Sequence, residues 1–306
     1  MIKKHISFDS ASPGQVIKGV VYQPDGQPKG LVQIVHGYAE HIGRYDRLMT
    51  CLADRGFVAF GDDHLGHGLT AGSPENLVDV GSYQAMDYML ADEQELNHKM
   101  RQQFGQALPC TILGHSMGSL LLRGLLGRYP DICDKAIIMG TGNMGPLLLK
   151  IFGLVLWPYE KLRPGSYRSG FINFLGIGLN NIPFKKEKNP IAWISKNPDN
   201  LASYRADPLC GKFGSLHTFH MLQKLMTLIR QKDHLDKMNK DLPILFMAGQ
   251  EDAFGDFGKG PATVLQMFEA AGMKEASLKL YPGMRHEILN EKDSDQVYQD
   301  ILAFIG

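Results

Sequence analysis

The stretch from Cys110 to Gly127, C-T-I-L-G-H-S-M-G-S-L-L-L-R-G-L-L-G, constrains this chain more than any other. Its first half is a short apolar run of strand character, and its second half carries leucines at helical spacing. Between them G-H-S-M-G, Gly114 to Gly118, has the form of a strand-to-helix elbow that throws a serine hydroxyl out of a sheet edge. So tight a bend leaves little room for a Cβ two residues before and after the serine, and glycine at both positions supplies that room.

The rest of the chain supplies the sheet that such an elbow needs. I-S-F and V-I-K-G-V-V-Y, separated by A-S-P-G, read as an antiparallel edge pair within residues 1–22. Leu31 to Val35 reads as a buried strand, followed by a helix over Arg44 to Arg55 with Tyr45, Leu48, Met49 and Leu52 at helical spacing. Phe57 to Phe60 is the next strand, after which Ser82 is placed to cap a helix reaching about Phe104. Cys110 to Leu113 and Lys135 to Gly140 are strands flanking the helix that follows the serine and ends near Tyr129. Alternating strands and helices imply a mainly parallel sheet with helices on both faces. From Gly142 to about Lys240 the rhythm breaks. It resumes with a strand at Pro243 to Ala248, a helix near Pro261 to Ala271, a strand at Ala276 to Tyr281 and a closing helix from about Ser294 to Phe304. The expected organisation is a core formed by residues 1–141 and 241–306, interrupted by an insertion at 142–240.

Composition excludes several classes. Hydrophobic residues are 44% and charged residues 21% of the 306, an ordinary globular balance. Lysine plus arginine equals aspartate plus glutamate at 32 each, so no overall field favours nucleic acid or an anionic membrane. Cys51, Cys110, Cys133 and Cys210 are scattered without a C-x-x-C pair, which offers neither a zinc knuckle nor a redox motif and fits reduced thiols. The N-terminal M-I-K-K-H-I-S-F-D-S lacks the apolar run of a secretory signal, and Leu147 to Trp157, broken by Lys150, falls short of the roughly 20 residues that span a bilayer. The expected compartment is the cytoplasm.

A serine hydroxyl needs a base within hydrogen-bond reach and a carboxylate that fixes the base's tautomer. In folds with this elbow these come in the order serine, acid, histidine, each after a strand. Asp252, in M-A-G-Q-E-D after the Pro243 strand, and His286, in Y-P-G-M-R-H-E after the last strand, satisfy that order with Ser116. Glu251 and Asp256 are the rival acids. The loop after Gly140, T-G-N-M-G-P, holds no carboxylate. An oxyanion requires backbone N–H donors. Met117 follows the serine and opens a helix, and Tyr38 follows His36-Gly37 after an early strand; these are the expected pair. His115 reads as a packing residue.

H-G-Y-A-E-H-I-G-R-Y at 36–45, D-H-L-G-H-G at 63–68, G-H-S-M-G, G-Q-E-D and Y-P-G-M-R-H-E-I-L-N together resemble the monoacylglycerol lipase and lysophospholipase branch of the α/β-hydrolases, which also carries the serine aminopeptidase label. The resemblance covers about residues 15–140 and 240–304. It implies the α/β-hydrolase fold: a mostly parallel eight-stranded sheet with helices on both faces and an inserted, mainly helical cap. It implies a serine hydrolase without metal or cofactor, cleaving esters of single long acyl chains, a small lipid-like substrate rather than nucleic acid. An aminopeptidase or amidase of the same fold, and a catalytically silent binding protein, remain the alternatives. Leu65 stands where the family commonly has an arginine, so any ion pair of that arginine is absent. His64 and His67, without a third ligand at suitable spacing, read as hydrogen-bonding residues, and His217 and His220 as a satisfied or solvent-facing pair on a cap helix.

The insertion opens M-G-P-L-L-L-K-I-F-G-L-V-L-W-P-Y, too apolar for an ordinary surface loop. Packing as cap core, lining an acyl-chain tunnel, and contact of Leu154, Leu156 and Trp157 with a membrane surface are the three readings. W-I-S-K-N at 193–197 and Y-R-A-D-P at 204–208 resemble cap segments without an assignable task. A substrate ammonium would need a cap carboxylate, and Glu160, Glu187, Asp199 and Asp207 are eligible. The sequence leaves the oligomeric state open.

Overall fold

The structure, a computed structural model, describes all 306 residues. Eight strands form one sheet: β1 (Ile2–Asp9), β2 (Val16–Gln23), β3 (Gly30–Val35), β4 (Phe57–Asp63), β5 (Cys110–His115), β6 (Lys135–Met139), β7 (Ile244–Gly249) and β8 (Ala276–Tyr281). Their order is β1-β2-β4-β3-β5-β6-β7-β8. Only β2 runs against its neighbours; every pairing from β4 to β8 is parallel. The chain therefore has the mostly parallel eight-stranded sheet of the α/β-hydrolase fold.

Side-chain alternation divides the core in two. Leu31, Val35, Ile112, Ile138 and Phe246 face one side, against α2 (Ala85–Phe104), α3 (Met117–Arg128) and α9 (Lys259–Ala270). Val32, Ile34, Leu113, Ile137 and Met247 face the other, against α1 (Asp46–Asp54) and α10 (Asp295–Ile305). Burial on both faces explains why the central strands read as continuous apolar runs rather than as an alternation.

Between β6 and β7 lie α4 (Pro146–Leu162), α5 (Gly170–Gly176), a 3-10 stretch Gly178–Glu187, α6 (Pro198–Ala206), α7 (Leu216–Leu228) and α8 (Lys232–Asp236). α7 packs on α4 and also on α2 and α3. No helix is long and apolar enough to cross a membrane.

Some expectations are corrected. The helix expected at Arg44 begins at Asp46, because His41 Nδ1 accepts from the Gly43 N–H and winds Ile42–Tyr45 into a tighter 3-10 turn. Ser82 does not cap α2: its Oγ accepts from Gln84 N–H, before the helix opens at Ala85. The opening of the insertion is not wholly covered. In α4 only Leu149 and Leu156 are buried, whereas Leu147, Leu148, Leu154 and Trp157 are exposed by 69%, 59%, 66% and 61%. Leu156 therefore faces away from any surface that Leu154 and Trp157 could touch.

Candidate active site

The elbow is as tight as its glycines suggested. Ser116 ends β5 and precedes α3 with φ 55° and ψ −117°, a backbone state costing on the order of 1–3 kcal/mol outside glycine. A Cβ on Gly114 would strike the Gly118 carbonyl, and one on Gly118 would strike the Val35 carbonyl of the neighbouring strand. The Ser116 N–H donates to Met139 O across the sheet at 3.0 Å, and Ser119 Oγ donates to Ser116 O at 2.5 Å. The bend is thus tied to β6 and to the first turn of α3.

Parallel strands bring the loops after β5, β7 and β8 to one sheet edge. There Ser116 Oγ lies 2.8 Å from His286 Nε2, and His286 Nδ1 lies 2.9 Å from Asp252 Oδ2. Asp252 is completely buried, and its second oxygen accepts from Phe254 N–H at 2.9 Å. The rival acids lie elsewhere: Glu251 is tied to Lys196 at 2.6 Å and Asp256 is exposed. The chain of bonds fixes the proton's place. With the Ser116 hydroxyl donating to Nε2, Nδ1–H faces the carboxylate, the arrangement that activates a serine.

Tyr38 and Met117 both line the cavity above Ser116. Met117 is the first residue of α3, so its N–H has no partner within the helix and carries the positive end of the helix dipole. Neither N–H is taken up by another group of the protein. Gly37 brings the Tyr38 loop close to the elbow, since a Cβ there would lie 3.1 Å from Ser116 Cβ. The Tyr38 phenol is not a free loop ring: it accepts from Gly214 N–H at 2.7 Å and meets Asn173 Oδ1 at 3.1 Å, joining the loop to the segment between β6 and β7.

Sequence reasoning missed the buried polar cluster beside these residues. Glu40 Oε1 accepts from Gly37 N–H at 2.6 Å and Tyr45 Oη at 2.8 Å, and lies 3.3 Å from His115 Nδ1. Glu40 Oε2 meets Arg44 Nε at 3.2 Å, and Arg44 also binds Glu287. His115 Nε2–H points to the His286 carbonyl at 3.2 Å. Burial disfavours both charges, but the contact of Glu40 with His115, aided by Arg44, holds the Glu40 carboxyl well below its ordinary range. Burial likewise opposes an imidazolium at His115, yet Glu40 raises its pKa. Each partner favours the charged form of the other, so His115 is a network residue rather than the packing residue expected. Glu40 stood inside H-G-Y-A-E-H; the signal was present, but its partner lies 75 positions away.

The remaining histidines have local tasks. His64 stacks on His36 at 3.8 Å and pairs with Asp62 at 3.3 Å and Glu93 at 3.0 Å, while His67 binds the Leu65 carbonyl. Leu65 is buried in the core. His217 pairs with Asp79 and His220 with Glu160.

A cavity of about 470 Å³ opens over Ser116, lined mostly by hydrophobic side chains, among them Leu149, Phe152, Trp193, Phe219 and Phe254. Leu149 and Phe152 are the part of α4 that turns inward.

A family model described as "Serine aminopeptidase, S33" matches residues 26–293. The chain belongs to that family. The S33 protein is 31% identical to a highly thermostable carboxyl esterase from Bacillus coagulans, solved in complex with glycerol, with a TM-score of 0.91 over 100% of this chain and 98% of that one. It is 27% identical over 297 residues to the monoglyceride lipase of Homo sapiens, covering 96% of this chain and 88% of the human one. It is 25% identical over 290 residues to the monoacylglycerol lipase of Mycolicibacterium smegmatis, covering 93% and 91%.

Proposed function

We propose that this S33-family protein is a carboxylic ester hydrolase acting on esters of single acyl chains, of the monoacylglycerol or lysophospholipid type, through an acyl-enzyme at Ser116. Ser116 Oγ attacks the ester carbonyl while His286 Nε2 takes its proton, and Asp252 holds the imidazole's orientation. The Tyr38 and Met117 N–H groups receive the oxyanion, each worth on the order of 3–4 kcal/mol in comparable sites. His286 then protonates the leaving alcohol, and water repeats the sequence to release the acid.

The observation that carries the substrate class is the charge balance of the cavity wall. Its only carboxylates, Glu40 and Glu287, are both engaged by Arg44. The cap acids eligible to bind a substrate ammonium are spent elsewhere: Glu160 on His220, Glu187 on Arg285 and Asp207 on His41; Asp199 does not line the cavity. An apolar wall without a free carboxylate suits an acyl chain and offers an aminoacyl group little. Similarity to the human and mycolicibacterial lipases and to the Bacillus esterase points the same way. The four cysteines are free thiols, which fits a reducing compartment such as the cytoplasm.

The test is a side-by-side series of monoacylglycerols of increasing chain length and aminoacyl p-nitroanilides. The account predicts turnover of the glycerides, with kcat/KM rising with chain length until the cavity is filled. Faster cleavage of the anilides would overturn the ester reading.

A further inference from the structure

His286 is enclosed by more than its two bonded partners. The Trp193 ring lies 4.9 Å from the imidazole at 40°, and Phe254 lies 5.3 Å away at 72°. Trp193 comes from the segment between β6 and β7, over 90 positions before the histidine, so its place depends on how that segment is fastened.

The fastening is specific. Arg285 Nη1 donates to Ala192 O at 2.6 Å and Glu287 N–H donates to Ile194 O at 2.8 Å. The residues on either side of His286 thereby hold the carbonyls on either side of Trp193. Asn181 Oδ1 accepts from Trp193 N–H at 3.1 Å. Glu291 accepts from the N–H groups of Arg285, Lys196 and Asn197 at 3.1, 2.9 and 3.1 Å, binding the two segments a second time. Arg285 is in turn held by Glu187 and lies 4.1 Å over the Phe184 ring. These bonds fix the backbone that carries the indole.

We propose that Trp193 is a positioning residue for His286: its indole keeps the imidazole turned toward Ser116 and its π-face favours the imidazolium formed when Ser116 gives up its proton. The proposal rests on the general-base role given to His286 above. A cation within about 6 Å of a tryptophan centroid is stabilised by the ring quadrupole, more strongly where water is excluded. Other groups facing His286 are Asp252 from the loop after β7, Ser116 from the elbow and His115 from β5, with Glu40 and Arg44 behind it. Glu287, the next residue, is neutralised by Arg44 and held by Asn200 at 2.7 Å. Trp193 is the contribution of the inserted segment to this shell.

The experiment compares Trp193→Leu and Trp193→Phe with the wild type on p-nitrophenyl acetate, an ester too short to need the acyl wall, across pH. With a ring that favours the imidazolium removed, the acid limb of kcat/KM moves to lower pH. Trp193→Leu should lose about 5-fold in kcat, shift the limb down by about half a unit and leave KM within about 2-fold. Trp193→Phe should restore most of the rate. A wild-type kcat with an unmoved limb, or a loss confined to KM, would overturn the proposal and leave Trp193 as wall alone. A second readout needs no variant at the site. The chain has two tryptophans, so Trp157→Phe leaves Trp193 as the sole emitter. Its emission should rise as His286 deprotonates, with the midpoint of the kinetic acid limb; emission that does not change with pH overturns the contact. Retained turnover in Ser116→Ala would instead sink the catalytic reading, and the fluorescence titration would still decide whether Trp193 senses His286.

Discussion

At the scale of single residues, charge and strain are concentrated around Ser116. The serine sits in a costly backbone state, and the buried pair Glu40 and His115, 3.3 Å apart, lies directly behind it. Ser116, Asp252 and His286 were legible because each stands in a motif at the end of a strand, and the chain order of the three is informative. His115 was not, because a residue type shows only that it can carry charge, and its partners come from two other segments, Glu40 and Tyr45 from residues 36–45 and the His286 carbonyl from the loop after β8. The pair has a testable sign. A histidine whose folded pKa is raised adds stability that is full below its ordinary pKa of about 6.5 and is lost as pH rises through the folded value. His115→Phe should therefore lower the melting temperature more at pH 6 than at pH 10. An equal loss at both pH values would show that His115 contributes packing alone.

At the scale of elements, the strands fall within a few residues of their sequence-based limits, and the central ones, buried on both faces, are distinct apolar runs. α4 was harder. Its apolar residues occupy every side, so no period shows which side faces out, and an all-round apolar helix is ordinarily a buried one. The fold instead turns Leu149 and Phe152 to the cavity and leaves Leu147, Leu148, Ile151, Leu154 and Trp157 outside. Exposed apolar rows of this kind mark a surface that meets lipid or another chain. With a lipid ester as substrate, we propose that this face rests on the lipid surface. Phosphatidylcholine vesicles should carry the protein upward in a density gradient, and replacing Leu147, Leu148, Leu154 and Trp157 by serine should abolish flotation while leaving p-nitrophenyl acetate turnover within about 2-fold. A wild type that stays at the bottom contradicts the proposal.

At the scale of the molecule, one twisted sheet with a core on each face gathers the loops after β3, β5, β7 and β8 at a single edge, and the segment after β6 covers that edge. The sheet edge holds Ser116, Asp252 and His286 together, and the covering segment supplies much of the cavity wall above them. Sequence made the first plain through strand-end motifs. It left the second obscure, because α4 to α8 follow no β-α rhythm and their inward faces are set by contacts with α2, α3 and the His286 loop. Balanced charge, 32 basic against 32 acidic residues, leaves selection to that local wall. The central claim is that Ser116 carries the acyl group. Its most direct measurement is hydrolysis of a p-nitrophenyl ester by wild type and Ser116→Ala, with intact mass after exposure to a fluorophosphonate. The account predicts a rate loss on the order of 10³-fold or more and a single adduct on the wild type that the variant lacks. A Ser116→Ala protein that keeps the wild-type rate, or takes up the same adduct, would contradict it.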